Sequence, residues 1–84
     1  MKEDQTSQLV KPLDTALRIK DVCKILGLSR STIYAKIKCT SKQYDPDFPK
    51  PFKLATNAVA WSLIDINNWL YAMKEKGTKY FTKQ

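Results

Sequence analysis

Hydrophobic residues along the first half of the chain recur at the spacing of one helical face, interrupted by a glycine. Val22, Ile25 and Leu26 predict a helix over residues 20–26, entered from a short extended segment at 17–19. Gly27 follows at the point where the pattern stops. Glycine adopts the left-handed conformation of a helix C-terminus without steric cost, so the first helix is expected to end there.

A second helix is predicted from Arg30 to about Lys38, with Ser29 as the residue that caps its first amides. Leu28, Ile33, Ile37 and part of Tyr34 are expected to face the core, and the tight turn at Gly27 makes the whole unit a helix-turn-helix. The positions left on or near the outside of the second helix are basic, small or hydroxyl-bearing: Arg30, Ser31, Thr32, Ala35, Lys36 and Lys38.

Residues 39–51 contain three prolines and two aspartates, which predict a loop. After the loop, residues 52–54 and 58–61 alternate in apolar bulk around the Ala55-Thr56-Asn57 segment. This alternation predicts a short β-hairpin, with Asn57 as the candidate for a left-handed turn position.

A third helix is predicted to begin after Ser62, because Asp65 stands three residues later in the arrangement of a capping box. Ile66, Trp69, Leu70 and Met73 give the helix an apolar stripe, and Gly77 is expected to end it. Trp61 and Trp69 lie within apolar patterns and are interpreted as core residues.

The order of elements predicts a mainly α fold with a small β-hairpin, a winged helix-turn-helix with three helices. Eighty-four residues suit one domain. The expected organisation is a mobile N-terminal tail at 1–14, the folded domain at 15–77 and a loose C-terminal tail at 78–84.

Composition argues against a catalytic or metal-binding protein. The sequence has no histidine, and its cysteines, Cys23 and Cys39, are isolated, which removes the usual zinc ligand sets and the usual general base. Both thiols are expected to be buried and reduced. For the protein we expect no enzyme activity and no cofactor. No apolar run approaches the length of a membrane span, and residues 1–8 lack a signal-peptide core, so we expect a cytoplasmic protein.

Positive charge is concentrated in the middle of the chain. The net charge is +7, and residues 15–53 carry +6 of it. A localised basic surface favours a polyanionic partner, and double-stranded DNA is the polyanion that a helix-turn-helix fits, because the major groove accepts one α-helix.

The outer face of the second helix therefore supplies the candidate DNA contacts. Arg30 has the forked geometry for guanine or phosphate, Lys36 and Lys38 suit phosphates, and Ala35 would let the helix approach the groove. For Tyr34 the sequence leaves two roles open, packing at the edge of the core or contact with a phosphate. The complete candidate set adds the start of the helix and the wing: Ser29, Arg30, Ser31, Thr32, Tyr34, Ala35, Lys36, Lys38, Lys53, Thr56 and Asn57.

Four blocks in the same order resemble the AlpA family of prophage and mobile-element regulators. They are residues 18–22 (RIKDV), 27–34 (GLSRSTIY), 45–54 (DPDFPKPFKL) and the pair 58–61 (AVAW) and 66–70 (INNWL). The resemblance implies a MerR-like winged helix-turn-helix, shared with excisionases, that binds DNA near prophage or genomic-island genes. By position it implies that residues 29–34 begin the recognition helix and residues 53–57 form the wing.

Three functions remain open from the sequence. The first is a transcriptional regulator of a prophage or genomic island, and the second is an excisionase that assists an integrase by bending DNA. The third is a protein-interaction module such as an anti-repressor, against which the exposed lysines argue, since interface cores are depleted in lysine. RNA polymerase or an integrase is the expected protein partner, while the sequence leaves the oligomeric state open.

Overall fold

A computed structural model describes residues 13–82 and contains three helices and a three-stranded antiparallel sheet. The chain order is β1 (Ala16–Leu17), α1 (Ile19–Leu26), α2 (Arg30–Ile37), β2 (Phe52–Ala55), β3 (Ala58–Ser62) and α3 (Leu63–Thr82). The predicted architecture of three helices plus a β-hairpin is confirmed. Most of the predicted N-terminal tail and the last two residues lie outside the described residues.

The helix-turn-helix forms where the sequence predicts it. Gly27 adopts a φ of 68°, and its amide donates to the carbonyl of Cys23 at 2.8 Å, which closes α1. At the other end of α1, the backbone amide of Arg18 donates to the carboxylate of Asp21 at 3.0 Å. The eight-residue helix α1 therefore has a hydrogen bond that satisfies a backbone group at each of its ends.

β3 is the central strand of the sheet, between β1 and β2. Leu17 pairs with Trp61, so the segment before α1 adds a third strand to the predicted hairpin. The expectation of a left-handed Asn57 is wrong, because no non-glycine residue in the described part of the chain has positive φ. An irregularity in register between Lys53 and Ala55 adds local twist, which lets a turn of ordinary φ connect the strands.

One cluster of buried side chains joins every helix to the sheet: Leu17, Val22, Ile33, Phe48, Trp61, Ile66 and Trp69. The core placement of both tryptophans is confirmed, with exposures of 0% for Trp61 and 9% for Trp69. Phe48 was not predicted as a core residue, because it lies in the proline-rich loop. Its ring packs edge-to-face on Trp69 at 4.9 Å, and the Trp61 indole donates to the Pro49 carbonyl at 3.1 Å, so the loop covers the core.

The start of α3 is held by two side chains. The hydroxyl of Ser62 accepts the amide of Asp65 at 3.1 Å, as the capping pattern predicts. The same hydroxyl donates to Asp14 at 2.6 Å, and Asp14 also accepts the amide of Ile64 at 3.1 Å. Asp14, which the sequence assigns to the tail, therefore contacts the folded domain directly.

Three expectations about burial and helix length are wrong. Helix α3 continues through Gly77 to Thr82, and Gly77 does not adopt the left-handed backbone with which Gly27 ends α1. Leu70 and Met73 belong to the predicted apolar stripe but are 39% and 40% exposed, since the helix extends past the core after Trp69. Of the cysteines, both free, Cys23 is only half-buried, and Cys39 is exposed because it follows α2 in a surface turn.

Candidate nucleic-acid interface

The N-terminus of α2 is organised by Ser29. Its hydroxyl accepts the amide of Thr32 at 3.2 Å and lies 2.8 Å from the Thr32 hydroxyl, while its carbonyl accepts the amide of Ile33 at 3.1 Å. The amides of Arg30 and Ser31 have no hydrogen-bond partner among residues 13–82. Two donors at the positive end of a helix dipole suit a phosphate oxygen.

An open groove runs along one side of α2. It is lined by Ser29, Arg30, Ser31, Tyr34, Ala35, Lys38, Thr40 and Ser41. Every charged side chain in this set is basic, and the rest are small, hydroxyl-bearing or aromatic. The arrangement offers a cationic concave surface with hydrogen-bonding groups, which matches the chemistry of a DNA backbone and base edge.

Tyr34 links the groove to the core. The residue is 40% exposed, and its ring lies 6.2 Å from the ring of Trp61 at a tilt of 60°. One part of the side chain therefore packs on β3 while another part lines the groove. The two roles that the sequence leaves open for Tyr34 are compatible in this geometry.

Lys36 and Thr32 are not in the groove. The Nζ of Lys36 lies 5.3 Å from the Trp69 ring, and the residue is half-buried on the side of α2 that faces the loop. Thr32 is also half-buried, and its hydroxyl is engaged with Ser29. Lys36 is therefore engaged with α3, and Thr32 with the cap of its own helix.

The wing residues form a separate group. Lys53 lies in β2 opposite Val59, and Thr56 and Asn57 form the turn of the hairpin. All three candidate residues of the wing are exposed, but none of them lines the groove beside α2. The structure thus divides the predicted site into a groove and a projecting hairpin.

Thr40 and Ser41 line the groove but are absent from the residues predicted from sequence. The amide of Ser41 donates to the carbonyl of Lys38 at 2.9 Å, so the chain turns back at the end of α2 and stays beside it. Ser41 is held further by the amide of Gln43 at 3.0 Å. The hydroxyl pair three residues after the end of a basic helix was the available signal, but only the turn geometry places it at the groove.

A different environment lies behind α2, where Asp45 accepts the indole Nε1–H of Trp69 at 3.0 Å. Burial alone would raise the pKa of Asp45. The hydrogen bonds from Trp69 and from the Asp47 amide, with the positive charges of Lys36 and Lys76, outweigh burial and lower it. Asp45 is therefore a charged structural residue rather than a proton donor.

Residues 13–82 offer no cluster of three or more His, Cys, Asp or Glu side chains that could hold a metal ion. None of the helices in the same range is long and apolar enough to cross a membrane.

Two comparisons with known proteins relate this chain to AlpA regulatory proteins. The family model described as Prophage CP4-57 regulatory protein (AlpA) matches residues 15–74, which contain all three helix starts, the groove and the hairpin. Among curated proteins, the DNA-binding transcriptional activator AlpA of Escherichia coli (strain K12) is 37% identical over 54 residues, covering 64% of this chain and 77% of that protein. No solved structure gives a significant match.

Proposed function

This chain belongs to the AlpA family of prophage regulatory proteins, and from this membership we propose that it binds double-stranded DNA in a sequence-specific manner and regulates transcription. The observation that carries the proposal is the groove beside α2, whose charged side chains, Arg30 and Lys38, are both basic. The comparisons do not favour the excisionase or the anti-repressor alternative.

In the proposed complex, α2 enters the major groove with its N-terminal turn foremost. Arg30 reads a base edge, and Ser31 and the free amides at the start of α2 bind a phosphate. Ala35 has no bulk beyond Cβ, so the helix axis can approach the bases. Lys38, with Thr40 behind it, binds the backbone on the far side of the groove.

The hairpin makes the second proposed contact. Lys53, Thr56 and Asn57 are exposed at the wing and would reach the backbone next to the site read by α2. Lys36 is left out of the proposed contacts because it lies against Trp69 and Asp45. This division assigns sequence reading to α2 and mainly backbone binding to the wing.

The regulated genes are proposed to be those of a prophage or genomic island, with a cytoplasmic location beside the DNA. Activation would require a contact with RNA polymerase, and a role in excision would instead require an integrase. We assign no catalytic activity, because the chain lacks histidine and the groove contains no carboxylate or thiol for acid–base or nucleophilic chemistry.

The deciding experiment is selection of bound duplexes from a random library, followed by footprinting on the DNA of the host element. Affinity for the selected duplex should fall steeply with salt, because each neutralised phosphate contributes a slope of about −0.9 in log K against log salt. Lys38→Ala and Lys53→Ala should each reduce the slope by about one, whereas the control Lys24→Ala, exposed on α1, should not. No enriched sequence, or an affinity insensitive to salt, would overturn the proposal.

A further inference from the structure

Lys50 is an exposed lysine in the proline-rich loop that precedes β2. Its Nζ lies 6.0 Å from the centroid of the Tyr44 ring, at the outer limit of a cation–π contact. The ammonium makes no ion pair with a carboxylate of residues 13–82, although Asp45 and Asp47 belong to the same loop. Its charge is therefore available to an anion from outside the domain.

The backbone around Lys50 is restrained on both sides. The carbonyl of Pro49 accepts the indole Nε1–H of Trp61 at 3.1 Å, which ties this part of the loop to the core. Pro51 follows Lys50, and a residue that precedes a proline is restricted to extended backbone. Binding an anion therefore orders the side chain of Lys50, while the cost of ordering a mobile backbone is avoided.

Tyr44 connects Lys50 to the groove beside α2. Its amide donates to the carbonyl of Ser41 at 3.2 Å, and Ser41 lines the groove. The Tyr44 hydroxyl has no hydrogen-bond partner among residues 13–82. Because no buried side-chain oxygen in the same range lacks a partner, this hydroxyl reaches the surface. The groove therefore leads from Ser41 to a free phenol and a free cation.

The two carboxylates of the loop belong to a different surface. Asp45 and Asp47 line the cavity between the loop and α3, and neither lines the groove beside α2. The lysines whose charges act on Asp45 are Lys36 and Lys76. The charges of the loop are thus separated, with the carboxylates toward α3 and Lys50 outside their cluster.

Along the chain, Lys50 stands between the groove and the wing. Lys53 follows three residues later in β2 and is exposed. Three residues of extended chain span at most about 10 Å. One DNA strand presents about three phosphates over that length, at one per 3.4 Å of helix axis. The two lysines can therefore bind different phosphates of the same short stretch of backbone.

We propose that Lys50 and the hydroxyl of Tyr44 form a third contact with the DNA backbone, at a phosphate between the segment read by α2 and the segment bound by the wing. This inference rests on the proposed function and adds two residues that lie in neither element. The ammonium supplies charge, and the phenol O–H donates a directed hydrogen bond to a phosphate oxygen. Because a phosphate contact reads no base, the pair stabilises the complex with every duplex alike.

The first test replaces the cation in the full chain. At a slope of about 0.9, one neutralised phosphate contributes about fivefold to the binding constant in about 0.15 M salt. Lys50→Ala should therefore weaken the selected and the scrambled duplex by about fivefold each and lower the salt slope by about one. Lys50→Arg should keep the parent slope. The control Lys74→Ala removes the same charge from the exposed surface of α3 and should change neither quantity. Identical behaviour of Lys50→Ala and Lys74→Ala would overturn the proposal.

The second test removes the hydroxyl and keeps the ring. Tyr44→Phe should weaken both duplexes by roughly two- to tenfold, the range for one hydrogen bond, and should leave the salt slope unchanged because no charge is lost. Tyr71→Phe, on the exposed surface of α3, should bind like the parent. Thermal melts of Tyr44→Phe and Lys50→Ala should match the parent, which separates lost contact from lost folding. Affinity of Tyr44→Phe equal to that of the parent would overturn the assignment of its hydroxyl.

A third test locates the phosphate. A series of selected duplexes, each with one uncharged methylphosphonate linkage, should include a position between the two contacted segments that weakens the parent but weakens Lys50→Ala no further. Additive effects at every position would overturn the contact. If the parent selects no sequence and its affinity is insensitive to salt, the proposed function itself fails. If the parent binds as proposed and Arg30→Ala weakens the selected duplex while Lys50→Ala matches its control, only the third contact is wrong.

Discussion

The indole Nε1 of Trp69 donates a 3.0 Å hydrogen bond to Oδ2 of Asp45, which fastens α3 to the proline-rich loop. The same tryptophan packs edge-to-face on Phe48 and lies beneath the Nζ of Lys36. Loop, α2 and α3 therefore meet at one side chain. Because α2 carries the proposed reading surface on its other side, this junction fixes how that surface is presented.

Breaking the Trp69–Asp45 pair should destabilise the domain without abolishing folding. Asp45→Ala should lower the free energy of unfolding by about 1.5–3 kcal/mol, the range for a hydrogen bond to a charged group. Trp69→Phe keeps most of the packing and should cost a similar or smaller amount. Chemical denaturation of both variants and of the double variant should give a coupling of about 1 kcal/mol, and strict additivity would contradict a direct interaction.

Stability should also fall in acid. The hydrogen bond from Ser62 is the largest cause that lowers the pKa of Asp14, while the Trp69 hydrogen bond and nearby lysines lower that of Asp45 against the effect of burial. A folded-state pKa below the unfolded value means that the stabilisation is present above about pH 4 and lost as pH falls through the folded pKa. Thermal melting from pH 7 to pH 3 measures this loss.

The control for the acid effect is the double variant Asp14→Asn/Asp45→Asn. It should melt lower than the parent near pH 7, and its melting temperature should change less between pH 5 and pH 3, since neither site can then release a proton on folding. An unchanged pH profile would mean that other carboxylates govern acid stability.

The two glycines provide a matched pair. Gly27→Ala should destabilise by about 1–2 kcal/mol, because an L residue is strained at its φ of 68° even though space is free around it. Gly77→Ala, in helical backbone with equally free space, should be neutral or stabilising by up to about 1 kcal/mol. Both effects are measurable by urea unfolding, and destabilisation by Gly77→Ala would indicate that the end of α3 is not helical in solution.

The local elements were predictable because their determinants are local. The spacing of Val22 and Leu26, the cap at Ser29 and the alternation before Trp61 each act within a few residues, and all of them give the expected elements. Gly27 and Gly77 look alike in sequence. They differ in whether the chain turns back onto the core afterwards, which is a tertiary property.

The candidate site was likewise predictable only where its determinants are local. Helical spacing alone puts Arg30 and Lys38 on the outside of α2, and both line the groove. Lys36 also follows a polar pattern, but Trp69 and Asp45 arrive from distant parts of the chain and engage it. Phe48 and Thr40 were missed because the loop folds back on the core and on α2.

The contrast between Arg30 and Lys36 tests the proposed interface most directly. Arg30 is exposed and lines the groove, whereas Lys36 is half-buried with its Nζ at the Trp69 ring. Arg30→Ala should cost about 1–3 kcal/mol of binding on the selected duplex, relax preference at one base position and leave the melting temperature nearly unchanged. Lys36→Ala should lower the melting temperature slightly and leave base preference intact. Competition assays with selected and scrambled duplexes, combined with thermal melts, separate the two. If Lys36→Ala changed base preference while Arg30→Ala weakened both duplexes equally, α2 would be presented to DNA by the side that faces the loop in this structure, and the groove would not be the reading surface.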